Sequence, residues 1–487
     1  MNITIKNFGP VRDFTINLNK DFHLLVGKNN IGKSYAITAV YLIVKSFQEM
    51  SSHSNPFGFR HQFLYDDTLS PDGIQETTEE LSALAKKLKP REEVDIKNYV
   101  LKDVKNTFEA IFLQRLKNSF ANTFTSLDNL RNRYSNETPS ITIDYNGMEF
   151  EIIINDERFE IKKFNINKDF FLKRIKQNRD PNFNGNKYTL YYCEGKESEF
   201  INAYIHFILF QFVIGFINGF SSIINSVHYL PASRSGLYQA LSAFGQIIAE
   251  LSKNRSFLSK KIELPGISEP VSDYFIRLSD IRVQKKSFED KEINKIAKEI
   301  EEKILKGRVE FNSQTKQLMF YPIETNLKLE LSSTSSMVSE LAPIVSYLRY
   351  VLTENAKRTR RRANSKVRPA CNLIMIEEPE AHLHPEIQLL LTEIFSKLVN
   401  QNVKLVITSH SNYIFNKVNN LIMSDTLSVN RVSSGVFKST KTGSVLHQLE
   451  VNELGVEDNN FNDATSALFD EKMKIISKLN NKENACD

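Results

Sequence analysis

The sequence predicts an α/β fold in two lobes, divided by a large insertion of mixed helices and strands. Three observations carry that reading. Gly27-Lys28-Asn29-Asn30-Ile31-Gly32-Lys33-Ser34 fits the phosphate-binding loop pattern G-x-x-x-x-G-K-[ST]. It lies between an apolar strand pattern, His23–Val26, and a helical one, Tyr35–Phe47. Far along the chain, Leu373-Ile374-Met375-Ile376 reads as another buried strand and ends in Glu377-Glu378-Pro379-Glu380. Loop and acids need each other, so most of the chain is inserted between two halves of one site.

Each segment suits one part of phosphate chemistry. Glycines let backbone N–H groups turn inward around phosphate oxygens, and the N-terminus of the next helix adds a favourable dipole. Lys33 is expected to reach the β- and γ-phosphates of a nucleotide, and the Ser34 hydroxyl to ligate Mg²⁺. Glu377, at the strand end, is the expected second Mg²⁺ ligand, directly or through water. Glu378 is the expected general base for the attacking water. A further strand pattern, Lys404–Thr408, runs into Ser409-His410-Ser411. His410 there faces the crevice beyond the carboxyl ends of parallel strands, within reach of a γ-phosphate or the water. The set implies ATP hydrolysis with ATP and Mg²⁺ as cofactors.

In chain order, residues 1–58 form the first lobe, entered through an N-terminal hairpin. The insertion covers 59–226. Its first part is helical, with spaced Leu, Ile and Phe over Glu79–Leu88 and Asn98–Asn132. Its second part is a hairpin, Ile141–Tyr145 and Met148–Ile154 around Asn146-Gly147. No sustained heptads appear, so no long coiled coil is expected. Phe200–Ser233 lacks any formally charged residue but carries Asn202, Gln211, Asn218 and Asn225. A buried or dimer-facing helix is expected there, not a membrane span.

Residues 227–340 complete the head. Glu289–Lys306 reads as a charged amphipathic helix, and Arg308–Phe311 with Leu318–Tyr321 as paired strands. Residues 341–450 form the C-terminal lobe, opening on a helix over 340–356. A tail, 451–487, holds one amphipathic helix near Leu468–Leu479. Lys357–Arg368 carries seven basic residues and no aromatic one, which suits a phosphate-backbone contact, an acidic protein partner or a solvated loop. A net charge of +5 does not make the whole chain a nucleic-acid binder. Hydrophobic residues make up 41% and charged ones 25%, ordinary for a globular protein. Three scattered cysteines (Cys193, Cys371, Cys486) and a strand-like start without a signal-peptide pattern lead to an expected cytoplasmic location.

MNITIKNFGP (Met1–Pro10), GKNNIGKS, EEPEAHLHP (Glu377–Pro385) and ITSHS (Ile407–Ser411) make the chain resemble an ABC-type ATPase of the SMC-like and OLD-like branch. The resemblance implies a two-lobed ABC-type P-loop head with an α+β insertion. It implies nucleotide contacts from Gly27, Asn29, Asn30, Ile31, Gly32, Lys33, Ser34 and Tyr35. Head-to-tail dimers would hold ATP between this loop and a partner's signature segment. The candidate signature is Leu331–Leu341, with Ser335 and Ser336 starting a helix toward a trans γ-phosphate; Met337 stands where the family usually has glycine. Tyr229–Ser235 resembles a recurrent OLD-like segment, which implies Arg234 near the nucleotide.

OLD-like proteins often continue into a Toprim nuclease, which this chain is not expected to contain. The resemblance to stand-alone ATPase subunits of anti-phage defence systems, of the PARIS and Septu kinds, implies a separate nuclease or toxin effector. The alternative is a RecF-type DNA-repair ATPase that loads recombination proteins.

Overall fold

The computed structural model describes the chain except residues 54–70, 136, 156–157, 178, 241–266, 280, 282–291, 313–316, 326, 353–369, 458–468 and 477–487. The basic run 357–368 lies outside the described residues.

One sheet organises the molecule. Strands β1 (Asn2–Phe8), β2 (Val11–Asn17) and β3 (Phe22–Gly27) precede helix α1 (Lys33–His53). The hairpin strands β1 and β2 pair antiparallel, as expected. Nearly every side chain of α1 from Ala36 to Val44 is buried. A helix apolar all round belongs inside a protein, and α1 runs between the sheet and the insertion.

The insertion begins with α2 (Pro71–Lys87), β4 (Glu93–Asp95) and α3 (Lys97–Phe108). A π-helical turn at Glu109–Leu113 leads from α3 into α4 (Gln114–Phe124). The helix expected to reach Asn132 stops at Phe124, because Thr125 turns to φ +68° and only a short 3-10 turn, Leu127–Leu130, follows. Strands β5 (Ser140–Tyr145), β6 (Met148–Ile154) and β7 (Phe159–Ile166) form a meander. Asn146 (φ +53°) and Gly147 (φ +76°) make its first turn, the left-handed pair that a two-residue hairpin requires. Next come β8 (Asp169–Ile175), β9 (Asn182–Asn184) and β10 (Lys187–Cys193), which pair with β4 in a separate small sheet ordered β4-β8-β10-β9.

The uncharged stretch is a helix, α5 (Glu197–His206), a π segment (Phe207–Ile214) and α6 (Gly215–Ile223). By length and composition this run could cross a membrane. In the structure Phe207, Ile208, Val213, Phe216, Ile217 and Phe220 are buried in the core. Phe47 of α1 stacks on Phe112 (ring centroids 4.4 Å apart) and meets Phe216 edge-on, which ties the loop-bearing helix to the insertion.

The chain then returns to the main sheet through β11 (Ile224–Leu230). Helices α7 (Glu269–Ser279) and α8 (Glu292–Ile300) and strands β12 (Gly307–Asn312), β13 (Gln317–Pro322) and β14 (Leu329–Glu330) follow. Helix α9 (Ser336–Ser346) extends through a π segment to Leu352. The last lobe adds β15 (Cys371–Glu377), α10 (Pro385–Asn400), β16 (Val403–Ser409), α11 (Asn412–Met423), β17 (Val432–Thr440) and β18 (Gly443–Leu449). The described part of the tail helix, Phe469, Met473, Ile475 and Ile476 included, is exposed.

The main sheet has eleven strands, ordered β11-β15-β16-β3-β17-β18-β2-β1-β5-β6-β7. Strands β11, β15, β16, β3 and β17 are mutually parallel, and the far side is mostly antiparallel. The insertion's meander therefore continues the head's own sheet through β1. Along β3, Phe22, Leu24 and Val26 face one core and Leu25 the other; Leu373 and Met375 divide from Ile374 and Ile376 the same way on β15. Burial on both faces explains the unbroken apolar runs of these strands. The fold is α/β, with helices on both sides of the parallel strands.

Candidate functional site

The strand order explains how distant motifs meet. Strand β16 lies between β3 and β15, with Ile407 opposite Leu24 and Glu377 opposite Thr408. The ends of β3, β16 and β15 therefore deliver the glycine-rich loop, His410 and the acidic pair to one edge. That edge is the carboxyl end of the parallel strands, where open α/β sheets place ligands.

Residues 27–32 close tightly. Gly27 has φ +149° and Gly32 φ +90°, and a Cβ on Gly32 would stand 2.9 Å from Pro10 Cγ and Val11 Cγ2. Only glycine fits where the loop presses on the β1–β2 turn. The cavity in front is lined by Pro10, Asn29, Asn30, Ile31, Gly32, Lys33, Ser34 and Tyr35 of the N-terminal lobe, with Glu378 and His410 opposite. The loop residues, the start of α1 and Lys33 line it together, the residue set with which backbone N–H groups, a helix N-terminus and an ammonium hold phosphates.

Lys33 is 6% exposed. Its Nζ donates to the carbonyls of Gly27 (3.1 Å) and Lys28 (2.8 Å) and lies 2.9 Å from His410 Nε2. Burial pushes its pKa down to about 8, against the opposing pull of Glu378, Glu380 and Glu377. His410 Nε2 also lies 3.2 Å from Glu378 Oε1. One ring nitrogen serves one partner at a time: unprotonated it accepts from Lys33, protonated it donates to Glu378.

Glu378 adopts φ +41°, a conformation that non-glycine residues rarely take and that concentrates at functional sites. Its N–H donates to the Thr408 carbonyl at 2.9 Å. The His410 hydrogen bond is the largest influence holding its carboxyl below the ordinary 4.5, with the charges of His410, Lys33 and Arg234 adding to it against burial. A lowered pKa keeps this carboxylate ionised at every pH above it. The acid limb of kcat/KM attributable to Glu378 is therefore expected below pH 4.5. An acid limb of wild-type kcat/KM centred well above pH 4.5 would overturn that assignment.

Glu377 is buried. Its Oε2 accepts from the Ala232 N–H at 3.3 Å, while Oε1 has no hydrogen-bond partner among the described residues. A buried, uncompensated carboxylate oxygen beside a phosphate loop fits a hard divalent cation. Among the described residues no three His, Cys, Asp or Glu converge on a metal.

Arg234 serves another role than the sequence suggested. Arg234 does not line the cavity. It is completely buried behind the acidic strand end, where Nη1 donates to the Glu377 carbonyl (2.7 Å) and Nη2 to that of Glu378 (3.3 Å). Glu380 passed unnoticed; its Oε1 accepts from Ser409 Oγ (2.8 Å) and the His410 N–H (2.5 Å), fixing the histidine backbone. The signal was available in the third acid of Glu377–Glu380. Ser335 caps α9 by accepting from the Val338 N–H, and neither it nor Ser336 lines the cavity of its own chain.

Residues 1–415 match the family model described as an AAA ATPase domain. No curated protein matches the chain. Similar solved structures include an SMC head bound to the C-winged helix domain of ScpA, 11% identical, with 93% of this chain and 98% of that chain covered and a TM-score of 0.39. The SMC head domain from Thermotoga maritima is 11% identical over 92% and 98%, with a TM-score of 0.31. An Smc head domain with an extended coiled coil, bound to the C-terminal domain of ScpA and derived from Pyrococcus furiosus, is 10% identical over 98% of both chains, with a TM-score of 0.34.

Proposed function

The chain belongs to the AAA ATPase domain family, and from that premise we propose that it is the ATP-switched subunit of an anti-phage defence system, controlling a separate nuclease or toxin. The observation that carries the catalytic part is the convergence of Lys33, Glu378 and His410 on one cavity. Loop N–H groups and Lys33 hold the triphosphate. Ser34 and Glu377 hold Mg²⁺, which when bound neutralises charge on the phosphates. Glu378 takes the proton of the attacking water, and His410 orients that water or the γ-phosphate.

Two copies pair head to tail in this reading. The N-terminus of α9, with the Ser335 and Ser336 hydroxyls, closes on the partner's γ-phosphate. What supports it is the capped, outward start of α9, away from its own chain's cavity. ATP binding closes the pair, the insertion and tail grip the effector, and hydrolysis resets it. The resemblance of GKNNIGKS and EEPEAHLHP to stand-alone defence ATPases supports the effector assignment. The basic run 357–368 favours a second reading, a DNA-repair loader.

Capture of the Glu378→Gln protein from its native host with ATP and Mg²⁺ separates the two. One stoichiometric nuclease-like or toxin-like protein is expected. DNA with recombination proteins, and no such effector, would overturn the defence reading.

A further inference from the structure

Behind the acidic strand end, one buried guanidinium touches three parts of the machine. Besides the carbonyls of Glu377 and Glu378, Arg234 Nη1 donates to its own segment at the Pro231 carbonyl (3.1 Å). Its Nε lies 3.3 Å from Glu340 Oε2 in an ion pair whose side chains are 0% and 4% exposed, a charge contact without hydrogen-bond geometry, since neither atom has a hydrogen-bond partner among the described residues. Ser235 Oγ donates to the other Glu340 oxygen at 2.5 Å. Glu340 belongs to α9, the helix that begins with Ser335 and Ser336.

A fully buried ion pair is a poor source of stability, since desolvation cancels most of its attraction. Its value lies in geometry: it permits one arrangement and penalises others. Here the penalty falls on a particular residue. Glu378 sits at φ +41°, which persists only where the surroundings over-determine it. Three hydrogen bonds grip its backbone: the Thr408 carbonyl on its N–H, and the Ala381 N–H (3.1 Å) and Arg234 on its carbonyl. Thr408 belongs to the sheet and Ala381 to the turn that Glu378 itself opens; the Arg234 grip leads through Glu340 to α9.

We propose that Arg234 and Glu340 are positioning residues, a rigid relay by which the placement of α9 sets the orientation of Glu378. A displacement of α9 on contact with phosphate at its N-terminus moves Glu340, and the guanidinium carries that displacement to the carbonyls of the acidic pair. Hydrolysis is thereby gated by what the start of α9 touches, while nucleotide binding by the loop is not. The relay rests on the reading that this chain hydrolyses ATP with Glu378 as base.

The test is Glu340→Gln, nearly isosteric and still able to accept from Ser235, with Ser235→Ala as a second variant in case the first does not fold. ATP hydrolysis and the affinity for a fluorescent ATP analogue are measured beside thermal unfolding. The relay predicts a fall in kcat of about tenfold or more with analogue affinity within about twofold of wild type. Combining Glu340→Gln with Arg234→Lys is expected to cost no more than the worse single change, because both break one connection. A folded Glu340→Gln protein with wild-type kcat overturns the relay. So does a parallel loss of affinity, kcat and thermal stability, the mark of a merely structural pair. Wild-type protein that binds ATP without hydrolysing it overturns the underlying reading, and the relay with it.

Discussion

Glu378→Gln is expected to stop hydrolysis while leaving ATP bound. Loss of a general base typically costs 10²–10⁴-fold in rate, and a drop in kcat of about that size is the predicted result. The choice of Glu378 over its neighbours follows from access. Glu377 is buried with one oxygen against the Ala232 N–H, and Glu380 spends an oxygen on Ser409 and the His410 backbone. Glu378 alone of the three lines the cavity, and its lowered pKa keeps it ionised at neutral pH. Glutamine keeps the shape and removes the basic lone pair. Nucleotide affinity is expected within about threefold of wild type, since the loop and Lys33 are untouched. With the reset blocked, the ATP-bound assembly accumulates. Phosphate release and light scattering with and without ATP check both halves. Hydrolysis at the wild-type rate would pass the base role to another residue.

The nucleotide loop, the acidic strand end and His410 were legible because each is a local pattern with a mechanism. Asn146-Gly147 was legible for the same reason: two left-handed residues between alternating strands have few other uses. What local patterns do not contain is pairing at a distance. Nothing in Ile141–Tyr145 says that it will lie beside β1 and carry the insertion into the head's own sheet. Strands β8 and β10 were missed because runs such as Asp169–Ile175 mix charges with aromatics on a surface that a small sheet only half buries. Arg234 failed differently. Proximity to the nucleotide was inferred from a segment's resemblance, but an arginine's reach of several ångströms lets it act from behind a strand as readily as in front. Only the hydrogen bonds to the Glu377 and Glu378 carbonyls distinguish the two.

Lys33→Met removes the ammonium and keeps much of the stem, and it is expected to abolish hydrolysis and weaken ATP binding by about a hundredfold or more. Its effect on stability is more informative, because wild-type Lys33 is held under strain of charge. Burial lowers its pKa from 10.5 to about 8, so between those values the unfolded chain binds a proton that the folded one has released. Stability rises with pH wherever the unfolded state binds more protons. Wild-type protein is therefore expected to gain on Lys33→Met as pH climbs from 8 to 10.5, and the two to change in parallel below 8. At neutral pH two effects oppose each other in the variant. Methionine relieves the buried charge, but the Gly27 and Lys28 carbonyls lose a donor, at about 1–3 kcal/mol where no water replaces it. ATP acts in the other direction. Its phosphates favour the charged amine, so binding takes up a proton above pH 8 and wild-type affinity is expected to weaken there. Calorimetric titration in buffers of different ionisation enthalpy measures that proton directly. If wild type takes up no proton on binding ATP between pH 8 and 10, Lys33 is not the group that meets the phosphates, and the loop holds them by its backbone alone.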